Sequence, residues 1–131
     1  MKNLLVLVFT LFLLSCSNYG DKVVYDGTEI YYKDNVLQEK ADQVGAYLEE
    51  IEFTDGTPKS VQITKDSVYN FRMVIQKGLE NDESMEMSFK ALGFLLSKEV
   101  FDGAPLNYQL CDNTFTTLKT IPIEGASEFE E

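Results

Sequence analysis

The chain has 131 residues, with 22 acidic side chains against 11 basic ones, a net charge of −11, and no histidine or tryptophan. This balance argues against a nucleic-acid partner, since phosphate binding rests on Lys and Arg, and against electrostatic docking on anionic lipid. The missing histidine removes the commonest general base and transition-metal ligand, so a conventional hydrolase or a zinc enzyme is disfavoured.

Lys2 supplies a basic start, Leu4 to Leu14 form an almost unbroken apolar run, and Leu13-Leu14-Ser15-Cys16 closes it. These are the parts of a secretory signal, and the run is shorter than the roughly 20 apolar residues that a spanning helix needs. A cysteine directly after a small residue makes the segment resemble a bacterial lipoprotein signal, whose cysteine is acylated; Leu14 is bulkier than the usual occupant of its place. The resemblance implies a signal peptide over 1–15, lipidation at Cys16 and a lipid-anchored protein of the cell envelope. Ser17 follows, where an aspartate would mark inner-membrane retention in enteric bacteria, so the outer membrane is favoured in a host that has one. Once Cys16 is acylated, Cys111 is left without a disulfide partner, and the fold must rest on packing.

Residues 16–22 read as a polar tether containing Gly20. Val23-Val24-Tyr25 and Glu29-Ile30-Tyr31-Tyr32 flank Asp26-Gly27, a two-residue hairpin signal. Leu37, Ala41, Val44, Leu48 and Ile51 then recur at helical spacing, with Glu39, Asp42, Glu49 and Glu50 on the solvated side. Gly45 costs about 1 kcal/mol against alanine inside a helix, and its place beside Ala41 and Leu48 suggests either a close approach to the sheet or a merely tolerated glycine. Asp55-Gly56-Thr57-Pro58 breaks the chain.

Ser60 to Ile63 and Val68 to Gln76 alternate apolar and polar residues, as strands with one buried face do, around a turn at Lys65-Asp66-Ser67. A second helix starts at Asn81-Asp82, either of which can cap it. Its core stripe is Met85, Phe89, Leu92, Leu96 and Val100, and Asp102-Gly103 ends it. Met87, Ala91, Phe94 and Leu95 widen the apolar surface beyond one face. Leu106, Tyr108 and Leu110 alternate along a further strand, and Leu118 to Ile121 form a last one. The predicted fold is α+β: a two-layer sandwich with a mainly antiparallel sheet of four to five strands, two helices on one face, and the order β-α-β-β-α-β-β. The domain occupies 23–123, and 124–131 is a frayed acidic tail.

A set of residues carries a likeness: Tyr31-Tyr32, Ala41, Gly45-Ala46-Tyr47-Leu48, Asp55-Gly56, Pro58-Lys59-Ser60-Val61-Gln62, Tyr69, Phe71-Arg72-Met73-Val74, Val100-Phe101-Asp102-Gly103-Ala104-Pro105 and Leu110-Cys111-Asp112. Together they resemble a small uncharacterised domain of bacterial exported or membrane-attached proteins, over about residues 29 to 121. The likeness implies one compact domain and assigns no activity, ligand or catalytic residue. Leu37 stands where a helix-capping threonine would be expected.

Few residues point to chemistry. Glu49, Glu50, Glu52 and Asp55 are the densest acidic cluster, but no loop has the spacing of a dedicated calcium site, so a solvated helix end is the better reading and no metal is expected. Cys111 alternates away from the Tyr108 and Leu110 face, and Asp112 beside it disfavours a reactive thiolate. Asp66-Ser67-Val68 looks like a short O-glycosylation pattern, but such three-residue patterns arise often by chance and a plain turn is the better account. The expectation is a non-enzymatic binding or accessory module without a cofactor, attached to the membrane by its lipid and meeting an envelope protein through the second helix, at Met87, Phe94 and Leu95, or through the outer sheet face. The alternative is a small-ligand binding domain with a pocket between helices and sheet, lined by Tyr31, Tyr69 or Tyr108.

Overall fold

The computed structural model describes residues 19–125. The expected signal segment, Cys16 and residues 126–131 of the expected acidic tail lie outside them. The elements run β1 Asp21–Tyr25, β2 Thr28–Tyr32, α1 Gln38–Glu50, β3 Lys59–Lys65, β4 Tyr69–Val74, a 3-10 turn Leu79–Asn81, α2 Glu83–Glu99, β5 Leu106–Cys111 and β6 Thr117–Ile123. All six strands form one sheet, in which spatial order equals chain order.

Strands joined by a turn pair antiparallel: β1 with β2, β3 with β4, β5 with β6. Strands joined through a helix pair parallel: β2 with β3, β4 with β5. The α+β layering holds, but the expected four to five mainly antiparallel strands in β-α-β-β-α-β-β order are corrected to six in a mixed sheet. The cause is geometric. A chain that leaves a strand through a helix and returns beside it must run the same way again, and β1 makes a full partner for β2 despite its five residues. Its hairpin closes on Asp26 and Gly27 with φ of 47° and 86°, the double positive φ of the tightest hairpin turns.

The registers separate two faces. Tyr25, Ile30, Val61, Ile63, Phe71, Tyr108, Ile121 and Ile123 share the inner face, where both helices pack and the core lies. Lys22, Tyr31, Gln62, Arg72, Gln109 and Thr120 share the outer one.

Each helix rides over the outer strand pair on its own side, α1 over β1 and β2, α2 over β5 and β6. One glycine in each sets that position. A Cβ on Gly45 would fall 2.2 Å from the Tyr25 ring, and one on Gly93 would fall 2.7 Å from the Ile123 side chain. Of the two roles that Gly45 could have, the close approach is the one the fold uses, and Gly93 on α2, which residue spacing alone does not single out, is its counterpart. Ala41, Val44 and Leu48 are buried as their spacing predicts, whereas Leu37 is 72% exposed as an N-cap without a side-chain bond. Asp82 caps α2 by accepting from the Ser84 and Met85 amides at 3.0 and 3.4 Å. Pro122 sits in β6, a sheet edge where its missing N–H takes nothing from a ladder.

Candidate functional site

Because the helices are drawn to opposite flanks, the inner face between them is incompletely roofed. Met73 of β4 and Tyr108 of β5 form the floor of an open groove there. Ile51 and Phe53, after α1, make one wall; Met85, Ser88, Phe89, Leu92 and Leu95 of α2 make the other. The groove measures about 510 Å³, within the range of ligand and peptide sites. A smaller recess of about 250 Å³ shares Phe53, Met73, Met85 and Phe89 with it and extends toward Lys59, Ile75 and Leu79. Ile51 and Leu95 stand at the rim with 38% and 39% exposure.

The groove is chemically plain. Ser88 and the Tyr108 hydroxyl are the polar groups of the larger part. That hydroxyl is buried and donates to the thioether sulfur of Met73 at 3.4 Å, a weak acceptor. Burial pushes the Tyr108 phenol far above its ordinary range, so it stays a neutral donor. Of the three tyrosines expected around a pocket, Tyr108 alone lines this one. Tyr31 lies on the outer face, and Tyr69 packs on Phe101 at the sheet end, ring centroids 4.7 Å apart.

Met87, Phe94 and Leu95 do not form one patch. At 100° per residue, Leu95 falls on the Met85–Leu92 side of α2 that faces the groove, while Met87 and Phe94 fall on the opposite flank. Met87 is 71% exposed and Phe94 half-buried. A helical wheel of residues 85–96 carries this division already. Cys16 lies outside the described residues.

The outer face is organised around Arg72. Its Nε donates to the Gln62 side-chain oxygen at 2.8 Å, and its terminal nitrogens donate to Gln109, to Thr117 at 2.9 Å and to the Phe115 carbonyl. Gln62 in turn donates to the Tyr19 carbonyl at 3.1 Å. The rings of Tyr19, Tyr31 and Phe115 meet edge to face, with centroids 5.1–5.8 Å apart. Cys111 is buried beneath this layer, and desolvation raises its thiol pKa, opposed weakly by Arg72. An inert cysteine is what such surroundings produce.

Among the described residues no group of three or more His, Cys, Asp or Glu is arranged to hold a metal ion. Asp55, from the acidic cluster, is engaged by Lys59 at 2.8 Å and by Thr57, which hold its carboxyl well below the usual carboxylate range. No described helix is long and apolar enough to cross a membrane.

Residues 22–122 match the model of the AF_1994_N family, described as a family N-terminal domain. The chain belongs to this family. No curated protein and no solved structure matches it. The family match runs from β1 to β6, so the groove and the Arg72 face both lie inside the family domain. Its description names a domain and no activity, which supports the uncharacterised domain that the resemblance implied.

Proposed function

We propose that the protein is a lipid-anchored envelope lipoprotein whose folded domain is a non-enzymatic binding module, and that the groove between α1 and α2 is its binding site. The observation that carries this reading is the groove itself: two helices held apart by their glycine contacts leave Met73, Leu92, Ile51 and Leu95 half-buried or exposed along one continuous apolar channel. An open channel of this kind suits an apolar segment laid along it better than a small molecule enclosed on all sides.

The titratable groups support a binding rather than a catalytic role. Every described group whose pKa departs from its ordinary value departs away from neutrality. Glu29, Asp55, Asp66, Asp82 and Asp112 move down, and Lys22, Tyr25, Tyr31, Tyr47, Tyr108 and Cys111 move up. Acid–base catalysis calls for the opposite tuning.

Two measurements test the proposal. The native domain should enhance the fluorescence of an anilinonaphthalene sulfonate dye. Ile51→Arg with Leu95→Arg should abolish that enhancement with the far-UV circular dichroism unchanged, while Met87→Arg on the other flank should leave it intact. A native protein that ignores the dye, or equal losses from both flanks, would sink the groove as a site. For the anchor, radiolabelled fatty acid should enter the wild type and not Cys16→Ser; equal labelling, or none in either, removes it.

A further inference from the structure

The short link between Cys16 and the folded domain leads to a definite placement at the membrane. Gly20 turns the chain at a φ of 95°, in a site where a Cβ would fall 2.3 Å from the Tyr32 carbonyl oxygen. The turn lays Tyr19 back over the outer face of the sheet. There its ring touches Tyr31 of β2 and Phe115 of the β5–β6 turn, and its carbonyl is held by Gln62 of β3. Tyr19 therefore leaves the domain over the middle of that face and not at an edge.

Cys16 is three residues away, so it can lie no more than about 11 Å from Tyr19. Carrying it to the far surface of the helix layer would mean crossing the sheet edge and then a helix about 10–12 Å thick. Three residues cannot do both.

The charge pattern agrees independently. Within the six strands the acidic residues are Asp21 and Glu29, in a chain with 22. Of these, Glu29 lies on the outer face, bound to Lys22 at 2.6 Å. Arg72 there has amide, hydroxyl and carbonyl partners and no carboxylate. A protein that elsewhere would be repelled by phosphate headgroups has one broad face whose strands carry no unpaired carboxylate, with Asp66 and Asp112 confined to the turns at its border. That face also carries Val24, 57% exposed, and tyrosine rings suited to the membrane–water boundary.

We infer that the outer sheet face lies on the phospholipid headgroups of the bilayer that holds the anchor, and that the groove on the opposite face opens away from the membrane. This rests on the reading that Cys16 is acylated. The acyl chains supply the affinity; Tyr19 and the carboxylate-poor face supply the orientation.

The chain has no tryptophan, so single tryptophans report position without interference. Thr120→Trp and Val24→Trp mark the outer face, and Leu95→Trp marks the groove rim. Each full-length, acylated protein is reconstituted in vesicles of phosphatidylethanolamine and phosphatidylglycerol that contain a lipid with a headgroup nitroxide. Either outer-face tryptophan should be quenched several-fold more than Leu95→Trp, and aqueous iodide should show the reverse order. Equal quenching at both faces, or stronger quenching at Leu95→Trp, overturns the orientation when the mass of the mature protein confirms acylation, and leaves the anchor standing. A mature protein without acyl mass removes the anchor and the orientation together. Two outer-face variants keep the comparison open if one of them fails to fold.

Discussion

Replacing a helical glycine by alanine ordinarily stabilises a protein by about 1 kcal/mol; at Gly45 the structure predicts the opposite sign. The new Cβ would lie 2.2, 2.5 and 2.7 Å from three carbons of the Tyr25 ring, where ordinary contact begins at 3.4 Å. The ring would have to retreat by more than about 1 Å, an overpacking that costs about 1–3 kcal/mol. Its hydroxyl also donates to Asp42 at 2.8 Å, and stretching that bond forfeits about 0.5–1.5 kcal/mol. Set against the helix gain, Gly45→Ala should destabilise the domain by about 1–3 kcal/mol. All three close atoms belong to Tyr25, so the sign should reverse in a Tyr25→Ala background, where Gly45→Ala should gain up to about 1 kcal/mol. Urea denaturation of the four proteins, with m constant, gives the coupling directly. Stabilisation by Gly45→Ala in the wild-type background would show that the ring yields freely and that this glycine does not set the place of α1.

Phe71 is fully buried against Tyr108, ring centroids 5.2 Å apart, whereas Leu92 is half-buried on the groove wall. Phe71→Ala should therefore cost about 3–5 kcal/mol, with Leu92→Ala clearly less, and equal losses in denaturation would mean that the groove closes in solution. With pH, Glu29, Asp66, Asp82 and Asp112 have lowered folded-state pKa values. Their contribution is complete above the ordinary carboxylate range and is lost as pH falls through it toward the lowered values. Tyr25 and Tyr108 are raised, so their contribution is complete below the ordinary phenol range and is lost as pH rises above it. Melting temperature plotted against pH should then be flat across neutrality and fall at both extremes; a transition near neutrality would contradict the assignment.

Much of the fold was legible because its signals are local. Asp26-Gly27 names a turn by backbone preference, Ala41-Val44-Leu48 names a helix face by spacing, and Asp82 names a cap by chemistry. The parallel joints were not legible, since nothing in Ile30 or Val61 states the direction of its neighbour. The groove escaped for a related reason. It arises from the distance between two helices, which depends on Gly45 meeting Tyr25 and Gly93 meeting Ile123 across long stretches of chain. Leu92 and Met85 read as core for want of that distance. Tyr19 read as part of a loose tether, and its seat against Phe115 joins residues that sequence spacing cannot connect.

The identity of strand order and chain order also bears on how the domain is made. Every sheet pairing joins consecutive strands, so no strand waits for a distant segment before it finds its partner. The longest closures are the two helical crossovers, and loop-closure entropy grows only slowly with length. Topologies built from neighbouring segments fold fast for their size. A chain emerging N-terminus first, from a ribosome or through a pore, could add each strand to a sheet edge already formed. Growth would proceed in one direction toward β6, where Pro122 removes one of the amides that a further strand would use.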